Sequence, residues 1–190
     1  SMFNLNSEQN IRLRHEIEAY AKYARNIGYY GYNYNLAETI VPFSKIDIWT
    51  RDLTFLAEKG LLNAELETLG NWNSNGPHIY LSARYIYSGD DPTAIMDDYF
   101  EKLGGAAADP LRAYWQAVDR AFVESDIHSG SFYGIEQILT PEVLDELQAH
   151  LDKARKAARE LFSGEGATAA VPTSSVPQDE VAEGLEGVDL

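Results

Sequence analysis

Two carboxylates, Glu65 and Glu67, stand near the end of the stretch GLLNAELETLGNW (60–72), which then runs through Gly70 and Asn71 to Trp72. Carboxylates at the tip of a strand can act as acid, base or nucleophile on a glycosidic bond, or they can hydrogen-bond sugar hydroxyls. Side chains alternate along a strand, so 61–67 directs Asn63, Glu65 and Glu67 to one side and Leu62, Ala64 and Leu66 to the other. If the strand belongs to a barrel, its C-terminal end is the functional one, which makes Glu67 the expected catalytic group. Glu65 lies deeper, where a carboxylate needs a structural partner. The plainer alternative for Glu67 is a solvated carboxylate, or one paired with Arg51 or Arg84.

The tyrosines are the second feature. The chain has 12, and Tyr29, Tyr30, Tyr32 and Tyr34 crowd together beside Asn33 and Asn35. A tyrosine offers a flat apolar face and a polar tip, which suits stacking on a sugar ring while bonding its hydroxyls. Tyrosine also simply favours strands. Alternation puts Tyr30, Tyr32 and Tyr34 on one face, and only those near the strand end would reach a ligand. The polar segment GNWNSNGPH (70–78) reads as a binding loop. Tyr32, Tyr34, Asn33, Asn71 and Trp72 are therefore the expected substrate-binding residues. Trp49 and Trp115 fall on apolar helical stripes and read as core.

Other chemistries lack their residues. His15, His78, His128 and His150 show no metal-ligand spacing such as HExxH. Gly104-Gly105 is not followed by the Lys-Ser/Thr of a phosphate loop, and Ser129-Gly130-Ser131 reads as a turn rather than a nucleophile elbow. There is no cysteine, so no disulfide framework or thiolate chemistry is available. No cofactor and no metal is expected. The net charge of −15 and pI of about 4.5 oppose binding to nucleic-acid phosphates and to anionic membrane surfaces. No apolar run approaches the roughly 20 residues of a membrane helix.

The elements that must position these residues are mostly helices. Ser7 to Arg25 carries a stripe of Ile11, Ile17, Tyr20, Ala21 and Ala24. Ser44-Lys45-Ile46-Asp47 fits a capping box that opens a helix with Ile46, Trp49, Leu53 and Leu56 on one face, closed by Gly60. Pro77 to Tyr87 reads as a further helix, stopped at Gly89. Asp91-Pro92, Asp109-Pro110 and Thr140-Pro141 each place a cap residue before a proline at the first helical position. The last of these opens a stripe of Leu144, Leu147, Leu151, Ala154, Ala158 and Leu161. IGYYGYNYN (27–35) and LLNAEL (61–66) resist helical reading. Strand, helix, strand at this spacing is the pattern of a parallel unit. Two parallel strands cannot bury both faces alone, so the chain is expected to be a fragment of a longer protein, a reading also favoured by its start at Ser1.

The fold class expected is an α/β fragment: the last βαβα units of a TIM-like barrel (1–75), a C-terminal helical region (76–162) and a disordered acidic tail (163–190). The tail is rich in Gly, Ser, Thr, Pro and Ala, and holds Glu165, Asp179, Glu180, Glu183, Glu186 and Asp189 with no basic residue.

The order of these elements, with YYGYNYN, IDIWTRDLTFLAEKG, a strand ending in Glu, YLSARYIYSGDDPTAIMDDYFEKLGGAAADPLRAYWQAVDRAF, His128 and LTPEVLDELQAHLDKA, resembles the C-terminal part of the glycoside-hydrolase-like proteins that carry domain of unknown function 4838. These look like relatives of alpha-glucuronidases. Tyr80, Ala83, Arg84, Asp91 and Gly105-Ala106-Ala107 match the family's pattern. Leu103-Gly104-Gly105 departs from it where the family usually has a tyrosine before glycine. The resemblance covers most of 27–160. It implies a carbohydrate-active parent, with a saccharide or glycoside as ligand, the missing N-terminal part of the barrel as partner, and a second catalytic carboxylate outside this chain. The parent would be secreted or periplasmic if it carries a signal peptide. A non-catalytic saccharide-binding module or a helical interaction module is the alternative.

Overall fold

The computed structural model describes residues 2–3, 7–36, 38–127 and 134–163, with Phe162 described by its backbone alone. His128, the Ser129–Ser131 turn and the acidic tail beyond 163 lie outside the described residues. Among these residues the chain is mostly helical, with one small parallel sheet. In order it forms α1 (Glu8–Tyr20), β1 (Ile27–Tyr32), α2 (Ile46–Glu58), β2 (Leu61–Glu67), α3 (Trp72–Ser88), α4 (Pro92–Gly104), a 3-10 turn (Gly105–Ala107), α5 (Ala108–Glu124), α6 (Ile135–Ile138) and α7 (Pro141–Ser163).

The expected strand–helix–strand unit is present: β1 and β2 pair in parallel, with α2 as the crossover. Their register places Tyr30 opposite Glu65 and Tyr32 opposite Glu67. One detail of the alternation differs. The ladder slips between Ile27, opposite Leu61, and Gly28, opposite Asn63, so Leu62 is unpaired. Leu61 rather than Leu62 then turns toward the core, and Leu62 is left 71% exposed. A bulge of one residue moves a side chain to the other face.

Helix α1 is shorter than its periodicity predicts. Its last turn tightens through bonds from Lys22 N to Ala19 O (3.2 Å) and Tyr23 N to Tyr20 O (3.0 Å) as the chain turns toward β1. Only Ile17 of its stripe is buried; Tyr20 is 67% exposed. In α7 the stripe is also narrower than expected. Leu147 and Ala154 are buried and Leu151 is partly so, while Leu144 and Leu161 face outward.

The start of α2 corrects the capping-box reading. Ser44 Oγ does lie 3.2 Å from Ile46 N, but the carboxylate that closes this end comes from α5. Asp119 accepts from Ile46 N at 3.0 Å, from Asp47 N at 3.1 Å and from Ser44 Oγ at 2.5 Å. Amides at a helix start have no intrahelical acceptor, and any suitably placed carboxylate satisfies them. At the other end Gly60 adopts φ +92, with the Arg25 carbonyl 3.1 Å from where a Cβ would stand. Glycine meets both demands without strain.

Of the three aspartate- or threonine-proline starts, two hold as expected. Asp91 accepts from Ala94 N (2.9 Å) and Thr140 Oγ from Val143 N (3.4 Å). At α5 the helix already begins at Ala108, so Asp109 and Pro110 lie within its first turn.

Helix α3 runs across position 75/76, and a single core cluster takes residues from both sides of it. That cluster joins Trp49, Leu53 and Leu56 of α2 with Leu81 of α3, Tyr99 and Phe100 of α4, Trp115 and Val118 of α5 and Leu147 of α7. Trp49 and Trp115 are core residues, as their stripes predict. Thus α4 packs on α3, α5 on α2 and α4, and α7 on α5, while α2 and α3 form the floor under the ends of β1 and β2.

Candidate functional site around Glu67

Parallel pairing brings the C-terminal ends of both strands together. Glu67, exposed at the tip of β2, receives hydrogen bonds from two phenols of the neighbouring strand segment, Tyr30 and Tyr34, the latter at 3.1 Å. Tyr30, Tyr32 and Tyr34 form an edge-to-face ladder with ring centroids 5.4 and 5.7 Å apart. The hydrogen bond to Glu67 is the main reason the Tyr30 phenol is held well above its ordinary value. The Tyr34 phenol is also raised, first by loss of solvent and then by its bond to Glu67. A carboxylate near a phenol favours the neutral, donating form. Arg51 and Arg84 are engaged elsewhere, with Asp47 and Asp90. Glu65 is exposed two residues before Glu67 on β2.

The remaining expected residues separate from this centre. Asn33 is buried, and its side chain works within the core: Oδ1 accepts from Trp49 Nε1 at 2.7 Å, and Nδ2 reaches Ser82 Oγ at 3.4 Å. Asn71 donates from Nδ2 to the Thr39 carbonyl at 3.2 Å and so ties α3 to the segment before α2.

Trp72 is not in a loop. It opens α3, and its ring, 43% exposed, sits 6.3 Å from the Tyr99 ring of α4. The segment 70–78 therefore corrects the binding-loop reading, since it is helical from Trp72 and Ser74, Asn75 and His78 are buried. Asn, Gly and Pro are poor helix formers. Tertiary bonds override them here: Ser74 Oγ donates to Ile40 O at 2.7 Å, and Ser74 O accepts from Phe43 N at 3.1 Å.

Gly76 in this helix is a packing requirement. A Cβ there would stand 2.8 Å from Tyr99 Oη and 2.9 Å from the Trp72 indole. Gly76→Ala is expected to push the Trp72 ring outward and to cost about 1–3 kcal/mol. Tryptophan fluorescence and thermal unfolding of the variant measure both effects.

An inner layer that the sequence did not reveal lies behind the strand end. Lys45 Nζ donates to the Tyr32 carbonyl, and its ammonium rests 5.1 Å from the centre of the Trp49 ring and 5.6 Å from that of Phe43. His78 Nε2 lies 2.7 Å from the next carbonyl, that of Asn33. Asn33 N in turn donates to the Glu67 carbonyl at 2.7 Å, which prolongs the ladder to the tip of β2. Burial draws Lys45 down to about 8, against the opposing pull of Asp52. Burial draws His78 down to about 4, with carbonyl contacts opposing and the Lys45 charge adding to the effect.

Lys45, Asp52, Tyr29, Tyr34 and Asn35 line a cavity of about 400 Å³ between this strand end, α1, α2 and the end of α5. Burial, and then Asp52, pushes the Tyr29 phenol up to about 12. Lys45 stood in the sequence only as part of a helix start, and His78 as a loop residue. Neither carries a local signal, because their partners are backbone carbonyls 13 and 45 residues away.

Chemically, the arrangement presents an exposed carboxylate whose oxygens are fixed by phenols, in a setting suited to accepting hydrogen bonds from hydroxyl groups. Among the described residues, no group of three or more His, Asp or Glu side chains converges to hold a metal ion. Among them, too, no helix is long and apolar enough to cross a membrane. No curated protein and no solved structure shows a significant match to the chain. A family model does match, over residues 2–116, which takes in β1, β2, the Glu67 centre and the helices beneath it up to the middle of α5. The chain belongs to the family described as domain of unknown function (DUF4838).

Proposed function

We propose that this chain supplies one wall of a saccharide site in a glycoside-hydrolase-like protein, with Glu67 as its acidic group. The observation that supports this reading is the exposed Glu67 carboxylate at the C-terminal end of a parallel strand, oriented by Tyr30 and Tyr34. Fixing an acceptor before the ligand arrives lowers the ordering cost of binding. In this reading β1, α2 and β2 are barrel units, and further strands of the parent lie beside them. Among the described residues the sheet consists of these two strands, which leaves one edge of each open to such neighbours.

Hydrolysis needs a second carboxylate, about 5–5.5 Å away for retention or about 6.5–9.5 Å for inversion. Glu65, two residues back on the same strand, points alongside Glu67 rather than across a cleft. The isolated chain is therefore expected to bind oligosaccharides without turning them over. Calorimetric titration with neutral and acidic oligosaccharides, together with an aryl-glycoside assay, tests this. Glu67→Gln, which keeps the shape and removes the charge, is expected to weaken binding about tenfold, the loss of one charge-assisted hydrogen bond. Absence of binding across the panel, or equal binding by the variant, would sink the saccharide reading. Turnover by the isolated chain that is lost in Glu67→Gln would overturn the non-hydrolytic part alone.

A further inference from the structure

We infer that Lys45 is the positioning residue of the Tyr34–Glu67 pair: from the cavity behind the strand it grips the Tyr32 carbonyl and so sets where the Tyr34 phenol and the Glu67 carboxylate meet. Its functional weight rests on the saccharide reading, but the geometry does not. Three consecutive residues at the strand end are each held by a different hand. Lys45, just before α2, holds the carbonyl of Tyr32. His78 of α3 holds the carbonyl of Asn33, and Trp49 holds its side chain. Tyr34 is held through its own phenol on Glu67 and its ring against Tyr32. Glu67 is tied to the same segment by the bond from Asn33 N to its carbonyl. A displacement at Tyr32 therefore reaches both members of the pair within two residues of chain.

Of these holds, the one made by Lys45 can change within an accessible pH range. Its ammonium is desolvated against the Phe43 and Trp49 rings and lines the cavity together with Asp52 of α2, Tyr29 and Tyr34 of the β1 segment, and Asp126 beyond α5. His78 of α3 also acts on it electrostatically. The residues of α1 on this cavity, Asn10 and Leu13, are uncharged. Burial brings the Lys45 proton off at about 8, whereas the Tyr34 phenol is held above its ordinary value. The two titrations are therefore separated. Loss of the Lys45 proton converts a charge-assisted bond to the Tyr32 carbonyl into a weaker neutral one.

The test uses the full chain labelled with ¹³C at tyrosine Cζ, with the Tyr34 resonance assigned through Tyr34→Phe. Between pH 6 and 9.5 the Tyr34 resonance is expected to move in one step with a midpoint near 8. Lys45→Met is expected to lack the step. Lys45→Arg, which remains charged throughout, is expected to keep the resonance at its low-pH position. If Lys45→Met does not fold, Lys45→Arg alone decides, since it conserves the cation and still removes the step. A Tyr34 resonance that stays still in the unmodified chain, or a step that persists in either variant, would overturn the assignment. A purely structural lysine would lower the melting temperature of the variants and leave no such step in the parent. Oligosaccharide titration at pH 7 and pH 9 is run alongside. Absence of binding at both values removes the saccharide reading while the tyrosine measurement still judges the role of Lys45.

Discussion

Asp119→Ala is expected to unfold more readily than the parent chain by about 3 kcal/mol. Asp119 is a partly buried carboxylate whose acceptors serve three donors: the Ile46 and Asp47 amides at the start of α2 and the Ser44 hydroxyl. Removing it leaves two helix-start amides and a buried hydroxyl without that partner, and each such loss costs about 1–3 kcal/mol before relaxation or water recovers part of it. It also removes the anion that faces the positive end of the α2 dipole. For a chain of this size the loss lowers the melting temperature by roughly 6–12 °C. Asp119→Asn retains one oxygen acceptor and is expected to lose about half as much. Urea unfolding of both variants measures the difference. A loss under 1 kcal/mol in Asp119→Ala would mean that Ser44 alone caps α2, as its sequence implied.

Mild acid is expected to weaken the fold through His78. The ring is buried, Nε2 is bonded to the Asn33 carbonyl, and its pKa is drawn down from 6.5 to about 4. The unfolded chain thus takes up a proton that the folded chain refuses. The contribution of His78 is complete above pH 6.5, falls as pH drops from 6.5 toward about 4, and changes no further below that. At about 1.4 kcal/mol per pH unit the loss reaches about 3 kcal/mol across the window. Urea midpoints at pH 7, 6, 5 and 4.5 should decline accordingly. His78→Gln, which keeps a donor for the Asn33 carbonyl, should be flatter between pH 6.5 and 4.5 even if it is less stable at pH 7. An equal slope in both proteins would place the acid sensitivity elsewhere.

The legible parts of the structure share one property. The core faces of α2 and α7, the Asp91 and Thr140 caps, the glycine after α2 and the two strands are all specified by residues within a turn or two of each other. Spacing alone can report such features. The placement of Glu67 at a strand tip was legible for the same reason, because alternation is local. The misread segments depend on partners far away in the chain. Trp72, Asn75 and His78 look like a loop because Asn, Gly and Pro discourage helix, yet bonds from Ser74 to residues 40 and 43 make the segment helical. Asn33 looks like a ligand-binding side chain beside the tyrosines, yet Trp49 and Ser82 draw it into the core.

By itself the sequence determined an acidic, cysteine-free chain with a strand–helix–strand unit followed by helices, and a carboxylate where the second strand ends. Those features follow from composition and short-range periodicity, which hold whatever the rest of the chain does. Only the tertiary structure decided that Tyr30 and Tyr34, rather than Arg51 or Arg84, hold Glu67, that Asp119 caps α2, and that Lys45 and His78 grip the strand from behind. Each of these contacts joins residues at least 13 positions apart. Burial then gives them their strength, because a polar group removed from water must be satisfied by whichever partner the packing brings to it.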